Sequence, residues 1–151
     1  MITTQAEGFQ GGLRRFTVLY VEDDDPSAYL FHRALNQRCA DLEIIRFKDG
    51  KQALGFLLGD GVYAGAAAPH LVVLDLNTPN KNGFDILFAI QRQNTLRSIP
   101  VVVLSASIHP NDRDRAYELG ASEFFVKPSD WNGYVETAEK VRSLLPMRSP
   151  V

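Results

Sequence analysis

Four polar groups in this chain directly follow apolar runs: Glu22-Asp23-Asp24-Asp25, Asp75, Ser105 and Lys127. Brought into one cleft, they have a definite chemistry. Converging carboxylates repel one another, which raises a pKa or recruits a cation. A donor set made only of oxygen suits Mg2+, held by a few carboxylates, a backbone carbonyl and waters, with room left for phosphate oxygens. An ammonium and a hydroxyl supply the positive charge and the hydrogen bond that a transferring phosphoryl group needs. A carboxylate beside them is a candidate nucleophile that would form an aspartyl phosphate. Asp75 has the strongest claim to that role, because it ends the buried-looking run Leu71-Val72-Val73-Leu74, where an acid costs desolvation unless something compensates it.

The elements that must carry these groups follow from periodicity. Phe16–Val21, Glu43–Phe47, Leu71–Leu74, Ile99–Leu104 and Glu123–Val126 are short apolar or β-branched runs bounded by turn formers, as strands buried on both faces are. Between them, apolar residues recur at helical spacing. Pro26 and Ser27 open a helix to about Arg38 with Asp25 as its cap, a second runs through Ala53, Leu54, Leu57 and Leu58, a third spans Asn82–Gln93, a fourth Pro110–Leu119 and a fifth Asp130–Leu145. Gly59–Pro69, with three glycines, reads as a loop. Strands alternating with helices predict an α/β parallel sheet with right-handed crossovers and helices on both faces. The expected strand order is 2-1-3-4-5, with Glu22–Asp25, Asp75, Ser105 and Lys127 at the ligand-binding carboxyl ends.

Length and charge set the bounds. The 151 residues, 45% hydrophobic, suffice for one globular domain. The expected division is a flexible N-terminal tail over 1–15, a domain over 16–146, a C-terminal tail over 147–151, and no output domain. A net charge of -2 without any basic run gives no reason to expect nucleic-acid binding. The N-terminus has no signal-peptide pattern and no window is long enough to span a bilayer, so the expected location is the cytoplasm, without membrane association. Cys39, the only cysteine, reads as a buried, reduced thiol on the first helix. His32, His70 and His109 lack close metal-ligand spacing and read as solvated or hydrogen-bonded.

Taken jointly, the motifs "VED" after the first strand, D-x-N-x-P-x-x-x-G from Asp75 to Gly83, Ser-Ala after the fourth strand and Lys-Pro after the fifth resemble a response-regulator receiver domain, with its doubly wound, flavodoxin-like (βα)5 fold. The loop DLNTPNKNG, the long loop before it and the lack of an output domain resemble the single-domain regulators that partner bacterial phytochromes. The resemblance implies a phosphoryl-accepting switch of a two-component system, fed by a sensor histidine kinase, with a phytochrome-type kinase as candidate. It implies Asp75 as phosphoacceptor, Asp23 and Asp75 as direct Mg2+ ligands, Glu22 acting through water, and the Asn77 carbonyl as a further ligand. Ser105 would bind the phosphoryl group, Lys127 would pair with it, and Phe124 occupies the aromatic switch position. Glu22 replaces the commoner aspartate, Thr78 stands where methionine is frequent, and Ser105 is the less frequent alternative to threonine.

The family's regulators are signalling switches, not metabolic enzymes, that assist their own phosphorylation and dephosphorylation. Output must then be a binding event. Arg113, Arg115, Tyr117, Phe124, Trp131 and Tyr134 supply the arginine and aromatic residues typical of interface anchors. They suggest a homodimer or partner surface on the fourth helix, fifth strand and fifth helix. Two alternatives use the same residues. A phosphatase of the haloacid-dehalogenase type would take Asp23 as nucleophile, but it leaves Asp75 idle. A phosphorylation-independent docking module would share the fold without needing the full acid, serine and lysine set.

Overall fold

The computed structural model describes residues 3–4, 16–37 and 41–146, with side chains from residue 16 onward. Six parallel strands form one sheet: β1 Thr3–Thr4, β2 Phe16–Val21, β3 Leu42–Phe47, β4 Leu71–Leu74, β5 Val101–Ser105 and β6 Glu123–Val126, in the order β1-β3-β2-β4-β5-β6. The five expected strands are β2 to β6, and their order is the expected one. The sixth is a correction to the N-terminal tail: Thr3 pairs with Ile45 and Thr4 with Arg46. Without them β3 would be an edge strand with a row of unpaired backbone groups, and two β-branched residues suit that edge. The rest of both tails and Cys39 lie outside the described residues.

Five helices cover the sheet: α1 Asp25–Asn36, α2 Gly50–Leu58, α3 Gly83–Gln91, α4 Pro110–Glu118 and α5 Trp131–Arg142. Each begins at a side chain that accepts from the first turn's free N–H groups. The cap of α1 is Asp24, which accepts from the Ser27 N–H at 3.0 Å, rather than the expected Asp25. Asp25 is already inside the first turn, where Pro26 is tolerated and the dipole favours an acid. Asn82 and Asp85 form a reciprocal capping box on α3. The Gly59–Pro69 loop contains a 3-10 turn at Gly61–Tyr63, and Tyr63 packs edge-on against Phe47 and Phe56. No described helix is long and apolar enough to cross a membrane.

Because side chains alternate across a strand, the sheet has two cores. Leu19, Val21, Val72, Leu74, Val101 and Val103 pack toward α2, α3 and α4. Val18, Tyr20, Val73, Val102 and Leu104 pack toward α1 and α5. The central strands are buried throughout. Their carboxyl ends are thereby fixed in three dimensions.

The histidines divide. His70 Nδ1 accepts from the Thr17 N–H at 3.0 Å, and His109 Nδ1 accepts from the Asn111 N–H at 3.2 Å as the cap of α4. His32 departs from the expectation: it is buried, and its Nδ1 has no hydrogen-bond partner among the described residues. Burial, aided by nearby positive charge including Arg46, lowers its pKa to about 4 and keeps it neutral.

Candidate functional site

Register places the functional residues together. Val21 lies beside Leu74, Leu74 beside Val103, and Ser105 beside Val126. The residues just past these pairs meet at one rim of the sheet. Backbone bonds carry the pairing onward: the Asp75 N–H donates to the Val21 carbonyl at 3.0 Å, and the Lys127 N–H to the Ser105 carbonyl at 2.8 Å. Each side chain therefore inherits its place from a buried strand, not from a free loop.

Carboxylate oxygens of Glu22, Asp23 and Asp75 lie within 4.8 Å of one another. Glu22 is fully buried, Asp75 is nearly so, and Asp23 is exposed, so the cluster has a closed floor and an open mouth. Lys127 Nζ lies 2.9 Å from Glu22 Oε1, 3.1 Å from Oε2 and 3.6 Å from Asp75 Oδ2. One cation thus serves two buried acids. The balance is incomplete: burial first, and then the charge of Asp75, raise the Glu22 pKa to about 7 against the pull of Lys127. Burial disfavours the Lys127 charge, but the hydrogen bond and charge of Glu22, with the charge of Asp75, outweigh it and raise its pKa. A proton on Glu22 and a cation among the three acids answer the same deficit. The donor set fits a hard divalent cation, with oxygen donors only and an exposed side for water and phosphate oxygens.

Ser105 is fully buried, and its Oγ accepts from the Ser107 N–H at 3.1 Å. Ser107 Oγ donates to Asp112 Oδ2 at 2.6 Å and accepts from the His109 N–H at 3.2 Å, which ties the β5–α4 loop to the first turn of α4. On the other side, Gly83 comes so close to the end of β4 that an added Cβ would stand 2.6 Å from the Asp75 carbonyl oxygen. That contact is the physical reason for glycine at the end of D-x-N-x-P-x-x-x-G. Thr78, at the place where methionine is frequent, is buried and donates from Oγ1 to the Lys81 carbonyl at 2.7 Å. Asn77 is exposed in the loop following Asp75.

The expected interface residues do not form one surface. Tyr134 is buried in the α1–α5 core and cannot anchor a partner, a consequence of its place on the inward stripe of α5. Trp131 faces α1, where the Arg33 guanidinium lies 5.8 Å from its ring centre. Phe124 is also buried, packed with Ala116 and Ala121, and its N–H donates to the Tyr117 hydroxyl at 3.1 Å. Arg115 stacks at 4.2 Å on Phe84 of α3. Arg113 lies over the Tyr117 and Phe124 rings at 5.4 and 5.9 Å, and Arg113, Arg115 and Tyr117 are the members of the set exposed on α4.

Three residues near the site escaped the sequence reading. Tyr20, two positions before Glu22, is buried with a hydroxyl that has no partner among the described residues. Burial and the charge of Glu22 raise its pKa well above the ordinary phenol value, so it is neutral. Ser107 is visible only through its contacts. Arg46 carried a signal that could have been used, namely an arginine inside the otherwise apolar end of a strand.

Comparison with known proteins is consistent throughout. Residues 18–139 match the model of the response regulator receiver domain. The chain is 36% identical over 128 residues to the probable methanogenesis regulatory protein FilR2 of Methanothrix harundinacea, covering 84% of this chain and 81% of that one. It is 32% identical over 126 residues to the response regulator Rcp1 of Synechocystis sp., covering 83% and 86%. A crystal structure of Mn2+-bound Rcp1 matches with a TM-score of 0.81 at 31% identity, covering 91% of this chain and all of that one. The phosphorylated cyanobacterial phytochrome response regulator RcpA matches with a TM-score of 0.82 at 31% identity, covering 87% and 94%.

Proposed function

The chain belongs to the response regulator receiver domain family of two-component signalling, and from that premise we propose that Asp75 is its phosphoacceptor. The observation that carries this reading is the convergence of Glu22, Asp23 and Asp75 within 4.8 Å of one another, with Lys127 Nζ 3.6 Å from Asp75. A carboxylate oxygen of Asp75 attacks the phosphorus of a phosphohistidine on a sensor kinase. The P–O bond forms as the P–N bond breaks, and the leaving imidazole takes up a proton. Lys127 offsets charge gathering on the phosphoryl oxygens, and the Ser105 hydroxyl donates to one of them.

Glu22, Asp23, Asp75 and the Asn77 carbonyl would hold Mg2+, which when bound neutralises phosphoryl charge in the transition state. A Mn2+-bound form of a relative supports a divalent cation here. Phe124, buried against α4 and paired with Val103 of β5, would repack when Ser105 moves. The same groups position water for hydrolysis, so the domain assists both its own phosphorylation and its own dephosphorylation. Likeness to Rcp1 and RcpA supports a phytochrome-type kinase as donor, and the cytoplasm as the place where they meet. The α4–β6 edge, with Arg113, Tyr117 and the exposed Val126, is the surface we assign to homodimer or partner contact. Sedimentation with and without phosphorylation tests it; a monomer under both conditions removes the dimer.

The test of the reaction is incubation with acetyl phosphate and Mg2+, followed by intact mass. Wild type should gain one phosphoryl group and Asp75→Asn none. Phosphatase turnover that survives Asp75→Asn but not Asp23→Asn would instead support the phosphatase alternative.

A further inference from the structure

Arg46 is 4% exposed, whereas every other described lysine or arginine keeps more surface. It stands just before the last residue of β3, on the face where Leu42 and Ile44 enter the α1–α5 core. A leucine or methionine would pack there without desolvating a charge, so the guanidinium needs its own explanation. Its contacts provide one. Arg46 Nε donates to the Glu22 carbonyl at 2.9 Å, and Nη2 lies 2.9 Å from Asp25 Oδ1. The Glu22 N–H donates to the Phe47 carbonyl at 3.0 Å, so both backbone polar groups of Glu22 are held by the end of β3. Lys48 adds a surface contact to Asp25 at 3.0 Å.

The acid-bearing turn is therefore strapped at its start and at its end. That strapped stretch carries Glu22 and Asp23, the two members of the carboxylate cluster that do not follow β4. The polar contacts of Arg46 go to the Glu22 carbonyl and to Asp25, so its effect on the cluster passes through the turn. We propose that Arg46 is a positioning residue for the divalent-cation site: its planar guanidinium, hydrogen-bonded through Nε to the Glu22 carbonyl and ion-paired through Nη2 with Asp25, fixes where the Glu22 and Asp23 carboxylates stand relative to Asp75. This rests on the reading of that cluster as a cation site. Lysine carries the same charge but cannot grip two acceptors with a rigid fork. Charge and geometry are thus separable by substitution.

The experiment is Mn2+ binding to the full chain by electron paramagnetic resonance, with Mg2+ competition, for wild type, Arg46→Lys and Arg46→Met. Groups that orient metal ligands from behind typically contribute ~10-fold or more in affinity, and Arg46→Lys should weaken Mn2+ by about that factor. A purely electrostatic role predicts the opposite pattern, with Arg46→Lys like wild type and Arg46→Met binding the cation more tightly, and would overturn the proposal. Thermal melts with and without Mn2+ deal with loss of stability. A residue that only supports the fold lowers both melts equally, whereas a positioning residue shrinks the rise that Mn2+ produces. If the Arg46 variants do not fold, Asp25→Asn loosens the strap from its exposed end. At high salt, where one exposed charge is screened, it should still weaken Mn2+, and unchanged affinity there overturns the proposal. Failure of wild type to bind Mn2+ overturns the cation-site reading and this inference with it; wild-type binding that Arg46→Lys leaves unchanged overturns this inference alone.

Discussion

The two loops that flank Asp75 are built differently. The loop from β4 to α3 is clamped by backbone: the Gly50 N–H donates to the Pro79 carbonyl at 3.1 Å, Gly83 N–H to the Leu76 carbonyl at 3.3 Å, and the Asn80 amide bonds the Asp49 carboxylate that caps α2. Asn80 takes φ 68°, a left-handed conformation that asparagine tolerates. Across the cleft, the loop from β5 to α4 is held by the side chain of Ser107, and α4 itself buries a single residue, Ala116. The acid we propose as phosphoacceptor thus stands on a rigid floor. The Ser105 hydroxyl ends a buried strand, but the loop after it leads into a helix with little to lose by moving. Such a contrast suits a switch, where a fixed reaction centre must shift a neighbouring, weakly packed helix between two states.

The largest expected effect comes from breaking the clamped side. An added Cβ at Gly50 would stand 1.7 Å from the Lys81 carbonyl oxygen, and one at Gly83 stands 2.6 Å from the Asp75 carbonyl oxygen. Gly50→Ala and Gly83→Ala should each cost about 3 kcal/mol or more, since backbone must move to admit them. Urea melts measure it, and a cost below about 1 kcal/mol would show that the loop is not clamped.

The rim between the two loops gives the next effect. Glu22 has a folded pKa of about 7 against an ordinary 4.5, chiefly through burial. Below the unfolded value the proton is bound in both states, and through the interval the folded protein binds it more tightly. Stability from this group is therefore fully present below about pH 4.5 and is lost as pH rises through about 7. The fall should be on the order of 2–3 kcal/mol between pH 5 and pH 8 in metal-free buffer. Glu22→Gln should remove that slope, and Mg2+ should reduce it by competing with the proton. A melt series that is flat for wild type contradicts the account of the rim.

The smallest effect belongs to the lightly held side. Ser107→Ala removes the contacts to Asp112 and His109 and should cost only ~1 kcal/mol globally. It should nevertheless speed amide hydrogen exchange in α4 while leaving α3 unchanged. Equal acceleration in both helices would erase the contrast between the loops.

This contrast marks where the sequence stops being legible. Strands β2 to β6 follow from apolar runs, their order from the habit of doubly wound sheets, and the rim residues from what directly ends each run. Gly83 could be read as a motif member, but only the approach of the Asp75 carbonyl says why it is glycine. The α1 cap fell on Asp24 rather than Asp25 because three consecutive aspartates offer equal candidates until the helix phase is known. Tyr134 read as an interface residue because composition does not reveal the direction of a side chain on α5, and the core claims it. Thr3–Thr4 escaped because two residues carry no periodicity, while the open edge that recruits them belongs to β3. Arg46 was visible as an anomaly, yet its partners Glu22 and Asp25 come from a turn on another strand's end, far from it in sequence.

The central claim is that Asp75 is the residue that carries phosphorus. Acetyl phosphate with Mg2+, followed by borohydride reduction and peptide mass spectrometry, reads it directly, because an aspartyl phosphate is reduced to homoserine where it formed. Homoserine at position 75 in wild type, absent when acetyl phosphate is omitted, is the predicted result. Homoserine at position 23, or at no position in a sample whose intact mass shows phosphorylation, would contradict it.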